Sequence, residues 1–124
     1  MGGREGASKL KATLEIQIGS VTRDGEPVAN DCREQAAQIV CGVFAQRYGG
    51  WYEEQRIGGW LDDHANLVRE ESLWVCCCAE DDENTLRVLA EELGEYVAQQ
   101  LNQDCTMYRI VPCEYGFVEQ GAKV

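Results

Sequence analysis

Three consecutive cysteines, Cys76-Cys77-Cys78, are the residues of this chain best suited to chemistry. In an extended strand, alternation puts Cys76 and Cys78 on one face, about 6.6–6.8 Å apart, with Cys77 on the other. Two thiolates at that spacing can grip a soft metal or enter redox exchange. A structural zinc site needs four ligands, however, and no CxxC accompanies the triplet. The plainer reading treats the cysteines as small hydrophobes in a central strand.

The one histidine, His64, stands beside Asp62 and Asp63. A histidine with an orienting carboxylate is the arrangement of a general base. Yet Asp62-Asp63-His64-Ala65-Asn66 reads as a hairpin tip, where water keeps the groups ordinary and encloses no substrate. Spacing pairs no Ser or Cys nucleophile with it. The segment is expected to be a solvated turn, and no catalytic residue, cofactor or metal is assigned.

Charge is the unusual term of the composition, with 22 acids against 11 bases and a net charge of −11. Eight of those acids and only one base fall between residues 80 and 104. A solvated helix face carrying Glu83–Arg87–Glu91 pairs explains them. The sharper alternative is a docking surface for a basic protein partner, centred on Glu83, Glu91, Glu92 and Glu95. Phosphate backbones attract Lys and Arg clusters, so nucleic acid is excluded as a partner. No stretch approaches the roughly 18 apolar residues of a membrane helix. The opening MGGREGASKLKA lacks a secretory apolar run, and Gly6 breaks the myristoylation pattern. Seven cysteines without a signal imply reduced thiols and a cytoplasmic protein.

The elements that position these residues follow from hydrophobic period. Leu14, Ile16 and Ile18 repeat every second residue and predict strand one at about 10–22, with Thr13, Glu15 and Gln17 outward. Helix one is expected over 29–47, burying Cys32, Ala36, Ile39, Val40, Val43 and Phe44, and ending at Gly49-Gly50. Strand two spans Trp51 to Leu61 with a bend or bulge at Gly58-Gly59, and strand three covers 67–79. Helix two opens on the acids Glu80 to Glu83 and buries Leu86, Leu89, Ala90, Leu93, Val97 and Leu101. Strand four runs from Thr106 to Val111. The order βαββαβ names a ferredoxin-like α+β sandwich, four antiparallel strands with both helices on one face. One domain is expected over 10–118, after a disordered lead-in at 1–9 and before a tail at 119–124. Metal-chaperone versions of this fold carry a CxxC after strand one; here that loop is Ser20-Val21-Thr22-Arg23.

Such a sheet leaves its second face open. If Leu73, Val75 and Cys77 meet the helices, Trp74, Cys76 and Cys78 lie on that open face, and Trp51, Tyr52, Trp60 and Tyr108 can add to it. The expectation is an apolar patch of several hundred Å², larger than soluble monomers usually expose. Three covers compete: a second copy in a homodimer, a small apolar ligand bound on that face or at the dimer seam, and the chain's own Cys113–Val124. Base stacking is disfavoured, because the basic and aromatic strand motif it needs is absent.

The segments LEIQIGS, GGWYEEQRIGGW, LVREESLWV and TMYRI, spread over residues 13–111, resemble a group of small bacterial proteins of unknown function found in phages and integron gene cassettes. The resemblance implies the ferredoxin-like fold and a mobile-element origin, and brings no activity with it; the Cys triplet departs from it. The expected role is a non-catalytic interaction module dimerising through its open sheet face. A small-molecule-binding enzyme or sensor using a pocket on that face is the alternative, and a thiol or soft-metal protein the second.

Overall fold

The structure, a computed structural model, describes residues 9–121. All but the last residue of the expected lead-in at 1–9, and the last three residues of the tail, lie outside the described residues. The elements are β1 (Leu10–Ile18), α1 (Asn30–Tyr48), β2 (Tyr52–Leu61), β3 (Leu67–Asp81), α2 (Glu83–Leu101) and β4 (Tyr108–Pro112). The strands form one antiparallel sheet in the order β2-β3-β1-β4. This is the ferredoxin-like α+β sandwich.

The core lies between the sheet and the two helices. Ala12, Leu14, Ile16 and Ile18 alternate along β1 and are wholly buried, opposite Val75, Cys77 and Ala79 of β3. Helix α2 presents the predicted stripe from Leu86 to Leu101, joined by Gly94. In α1 the buried residues are Ala36, Ala37, Val40, Cys41 and Phe44. Cys32 and Ile39, expected in that stripe, are exposed. The small side chains of Ala37 and Cys41 face the sheet instead, which turns Ile39 outward.

Local chemistry sets the helix ends. Asp82 caps α2 by accepting from the backbone N–H groups of Asn84 and Thr85 at 2.9 and 3.2 Å. The helix therefore opens three residues later than predicted, and Glu80 and Asp81 finish β3. Gly49 ends α1 in the left-handed region at φ 90°, with its N–H on the Ala45 carbonyl. At the other end of α1 the cap position is Ala29, which offers no side-chain acceptor.

Strand β1 stops at Ile18 rather than running to residue 22. Glu70 of β3 ends it, accepting from the Ser20 and Val21 N–H groups at 2.7 and 3.2 Å. Strand β4 begins two residues later than expected, while the Met107 carbonyl still accepts from the Gln17 N–H.

Strand β3 is longer than β1. Its residues 73–81 pair with β1, whereas 67–76 pair with β2. Residues 67–72 with 56–61 are therefore a two-stranded ribbon reaching past the rest of the sheet. Its register is unbroken from Tyr52↔Cys76 to Leu61↔Leu67, so Gly58-Gly59 forms no bulge, contrary to expectation. The even-numbered residues of β2 consequently stay on the open face throughout, and the odd-numbered ones on the helix side.

Candidate functional site

The open face is built from β1 and β3 at its centre. Register places Glu15 between Cys76 and Arg109, Gln17 beside Trp74, and Thr13 beside Cys78 and Val111. Strand β2 adds Tyr52 opposite Cys76, Glu54 opposite Trp74, and Arg56 opposite Ser72. Of the six residues expected on this face, Trp60, Trp74, Cys76 and Cys78 are there by register. Trp51 and Tyr108 are not. Trp51 stands against α1, and Tyr108 pairs with the core residue Ile16 and packs on the helix-side core. Parity decides both: without a bulge, and with β4 in register on β1, neither side chain can reach the open side.

Nor is the face an apolar patch. Trp74 is only 5% exposed and Cys76 is wholly buried. The Arg56 guanidinium lies over the Trp74 ring, 4.7 Å from its centroid. The same group donates to Glu15 Oε1 at 2.9 Å and to Glu54 Oε1 at 2.6 and 3.1 Å, with Nη2 3.9 Å from Cys76 Sγ. Arg109 reaches Glu15 Oε1 at 3.7 Å, and the Thr13 hydroxyl meets its other oxygen at 3.4 Å. Glu15 is thus a buried carboxylate with two cationic neighbours, which makes its burial tolerable. Its hydrogen bond raises the Arg56 guanidinium further above its already high value. Gln17 donates to the buried Ser72 hydroxyl at 3.0 Å and fills the next row. A charged, internally satisfied layer covers Trp74 and Cys76, which the sequence suggested were bare, while Tyr52 and Trp60 on the same face stay exposed.

The tail covers one end of that face. The Cys113 N–H donates to the Lys11 carbonyl, and the Lys11 ammonium sits 5.2 Å from the centroid of the Tyr115 ring. Burial, with Cys78 and Glu80 nearby, pushes the Tyr115 phenol up. Beyond it, Phe117 and Val118 are exposed.

The cysteine triplet divides as strand alternation requires, with Cys77 in the helix-side core and Cys76 beneath Arg56 and Tyr52. Burial pushes the Cys77 thiol up to about 12. Cys76 reaches about 12 as well: burial and Glu15 raise it and outweigh the nearby Arg56, which lowers it. Both are neutral thiols at physiological pH, poor nucleophiles and poor metal ligands. The cysteines are all free among the described residues, which also hold no cluster of three metal-ligating side chains.

Asp62 organises the hairpin turn and does not orient the His64 ring. Its Oδ1 accepts from the backbone N–H groups of His64 at 2.9 Å and Asn66 at 2.8 Å. Those bonds, Asn66 first, lower the Asp62 carboxyl below its usual value. Ala65 takes the left-handed conformation at φ 62° that closes the loop. On α2, Arg87 pairs with Glu83 at 3.2 Å, one turn away, and with Asn84. Glu91, Glu92 and Glu95 are exposed on the outer face.

The features that sequence reasoning missed belong to β2. Nine of its ten residues are exposed, Arg56 alone being half-buried. By strand order its outer edge pairs with nothing among the described residues. The other edge strand, β4, is five residues long and ends in Pro112, a shape that discourages pairing. Strand β2 has no proline, no lysine and no bulge. On the ribbon, Ile57, Trp60, Leu61 and Leu67 are exposed, Leu67 at 82%. On the helix side, a groove of about 560 Å³ separates β2 from α1. Trp51, Leu73, Ala37 and Cys41 give it an apolar lining, and Arg33, Glu34, Glu53 and Gln55 supply polar groups. The signal for all this was the sheet order: a βαββαβ chain leaves strand two at an edge, where both helices can miss it.

No helix among the described residues is long and apolar enough to cross a membrane. Set beside known proteins, the chain matches no family model, no curated protein and no solved structure.

Proposed function

We propose that this chain is a non-catalytic, cytoplasmic interaction module of mobile-element origin that recognises another polypeptide through β2. The observation that carries the reading is the unpaired edge of β2 along ten residues, without proline, lysine or bulge. Strand addition to such an edge supplies main-chain hydrogen bonds, and side-chain pockets on either face supply selectivity. The open face, first expected to dimerise, serves the fold: Arg56, Glu15 and Trp74 consume one another. Native mass spectrometry of the untagged chain as isolated tests the reading. A polypeptide complex that Ile57→Glu dissolves supports it; a bare monomer at every concentration, or a complex indifferent to Ile57→Glu, overturns it.

The groove between α1 and β2 favours a second reading, a sensor for a small molecule with an apolar body. Its volume lies within the range of ligand sites, and it combines Trp51 and Leu73 with Arg33 and Gln55. The ligand keeps the chemistry expected from the sequence but moves from the open face to the helix side. A metabolite panel that raises the melting temperature of the native chain, and not of Ala37→Trp, supports this reading. A flat response removes it.

A further inference from the structure

We infer that the polypeptide taken by β2 is a second copy of this chain, added antiparallel about a two-fold axis at Gln55 to give a continuous eight-stranded sheet. The inference rests on the reading of β2 as a recognition edge and names its partner.

Symmetry limits the choices. A two-fold axis normal to the sheet joins two antiparallel edges and leaves both helix layers on the same side of the combined sheet. Residues facing each other across the seam then share parity, so the residue at the centre must face its own copy. Near the middle of β2 the candidates are Glu54, Gln55, Arg56 and Ile57. A centre on Ile57 leaves Arg56 facing Gly58 and Glu54 facing Trp60, with no charge matched across the seam. Centring on Glu54 or on Arg56 sets like charges directly opposite, which is destabilising. Centring on Gln55 sets a neutral amide against itself.

The rest of the strand agrees with that centre. Glu54 falls opposite the partner's Arg56, and Arg56 opposite the partner's Glu54, so the pair that each chain already holds between these two residues meets its copy with opposite charges facing. Tyr52 falls opposite Gly58, Trp51 opposite Gly59, and Gly50 opposite Trp60. Each aromatic of the segment thereby crosses a glycine of the other copy, and an aromatic ring laid over a cross-strand glycine covers backbone that glycine leaves bare. On the helix side, the exposed Ile57 falls opposite Glu53, a residue lining the α1 groove. The partner's Ile57 thus adjoins that groove from its open end. The flat register at Gly58-Gly59 is what permits this pairing, because a bulge there would shift every later residue to the wrong face. An edge that carries charges normally repels chance partners. Here the same charges select a copy of themselves.

A seam of this kind stands at the small end of stable interfaces, so the dimer should dissociate on dilution. Sedimentation velocity on the full chain over a wide concentration range is the first test, with a concentration-dependent dimer expected. Ile57→Glu, at an exposed position, sets the new carboxylate against Glu53 twice and should leave a monomer of unchanged circular dichroism. Glu53→Lys mixed with Ile57→Glu should restore a dimer, and native mass spectrometry should show it as the mixed species. A wild-type chain that stays monomeric overturns the inference, as does an Ile57→Glu chain that still dimerises or a mixture that yields no mixed dimer. A complex with a different polypeptide that Ile57→Glu dissolves overturns the self-pairing alone and leaves the interaction reading standing.

Discussion

The guanidinium of Arg56 lies over the indole of Trp74, 4.7 Å from its centroid, and from there reaches the buried carboxylate of Glu15. One side chain from an edge strand thereby covers an aromatic of the neighbouring strand and neutralises an acid of the strand beyond it. The stacked cation and the ion pair hold β2 against the sheet on the face the helices do not cover.

Removing that side chain should be costly. Arg56→Ala uncovers Trp74 and leaves Glu15 with only the more distant Arg109. Losing one partner of a buried pair is strongly destabilising, and with Arg109 still present a loss of about 3 kcal/mol is expected in urea unfolding. Arg56→Met combined with Glu15→Leu should recover most of the loss, because it removes both charges together. Equal instability of the single and double variants would show that the pair is not what matters.

Stability should fall in alkali. The Cys76 and Cys77 thiols are held near 12 against an ordinary 9.0, and Cys41 near 11, chiefly by burial. The folded chain keeps these protons while the unfolded chain releases them. Stability is therefore fully present below about pH 9 and lost as the pH rises from 9 towards 12. Tyr48 and Tyr52, raised to about 12 from 10.0 by burial, act in the same direction. Thermal melts between about pH 8 and 11 read the slope, and Cys77→Ala should flatten it.

Thiol reactivity should split by position. Cys32 and Cys105 are exposed and should label rapidly with an aromatic disulfide reagent in mildly alkaline buffer. Cys76 and Cys77 should label only at the rate at which the chain opens. Fast labelling of Cys76 would return the triplet to consideration as a reactive site.

The first helix can be improved. Ala29 has the extended dihedrals of an N-cap but no side-chain acceptor. Ala29→Ser should add about 1 kcal/mol, and Asp82→Ala at the capped start of α2 should remove about as much. Chemical denaturation of the two variants measures both.

The order of elements and the sides of β1, β3 and α2 were legible, because Leu14, Ile16 and Ile18 alternate and Leu86 to Leu101 repeat at helical spacing. Strand two was harder. Two adjacent glycines suggest a bulge from sequence, and only the register with β3 shows that the chain runs straight through them. The cover over Trp74 was invisible for a different reason. Arg56 lies far earlier in the chain, and nothing local says that strands two and three pair so as to place it beside Ser72 and over Trp74. Glu15 was assigned to the correct side but to water, since alternation gives the direction of a side chain and not what lies above it. The exposed edge of β2 followed from the fold order, yet its importance emerged only once the open face proved to be satisfied.

Hydrogen exchange across Trp51–Leu61 at low and high protein concentration tests the central claim, that β2 is the surface through which this chain is recognised. The account predicts that the β2 amides pointing away from β3 exchange freely in dilute protein and become protected as concentration rises, with protection in β4 and α2 unchanged. Exchange in β2 that is the same at every concentration, with new protection emerging instead over Thr13, Cys78 or Arg109, would contradict it.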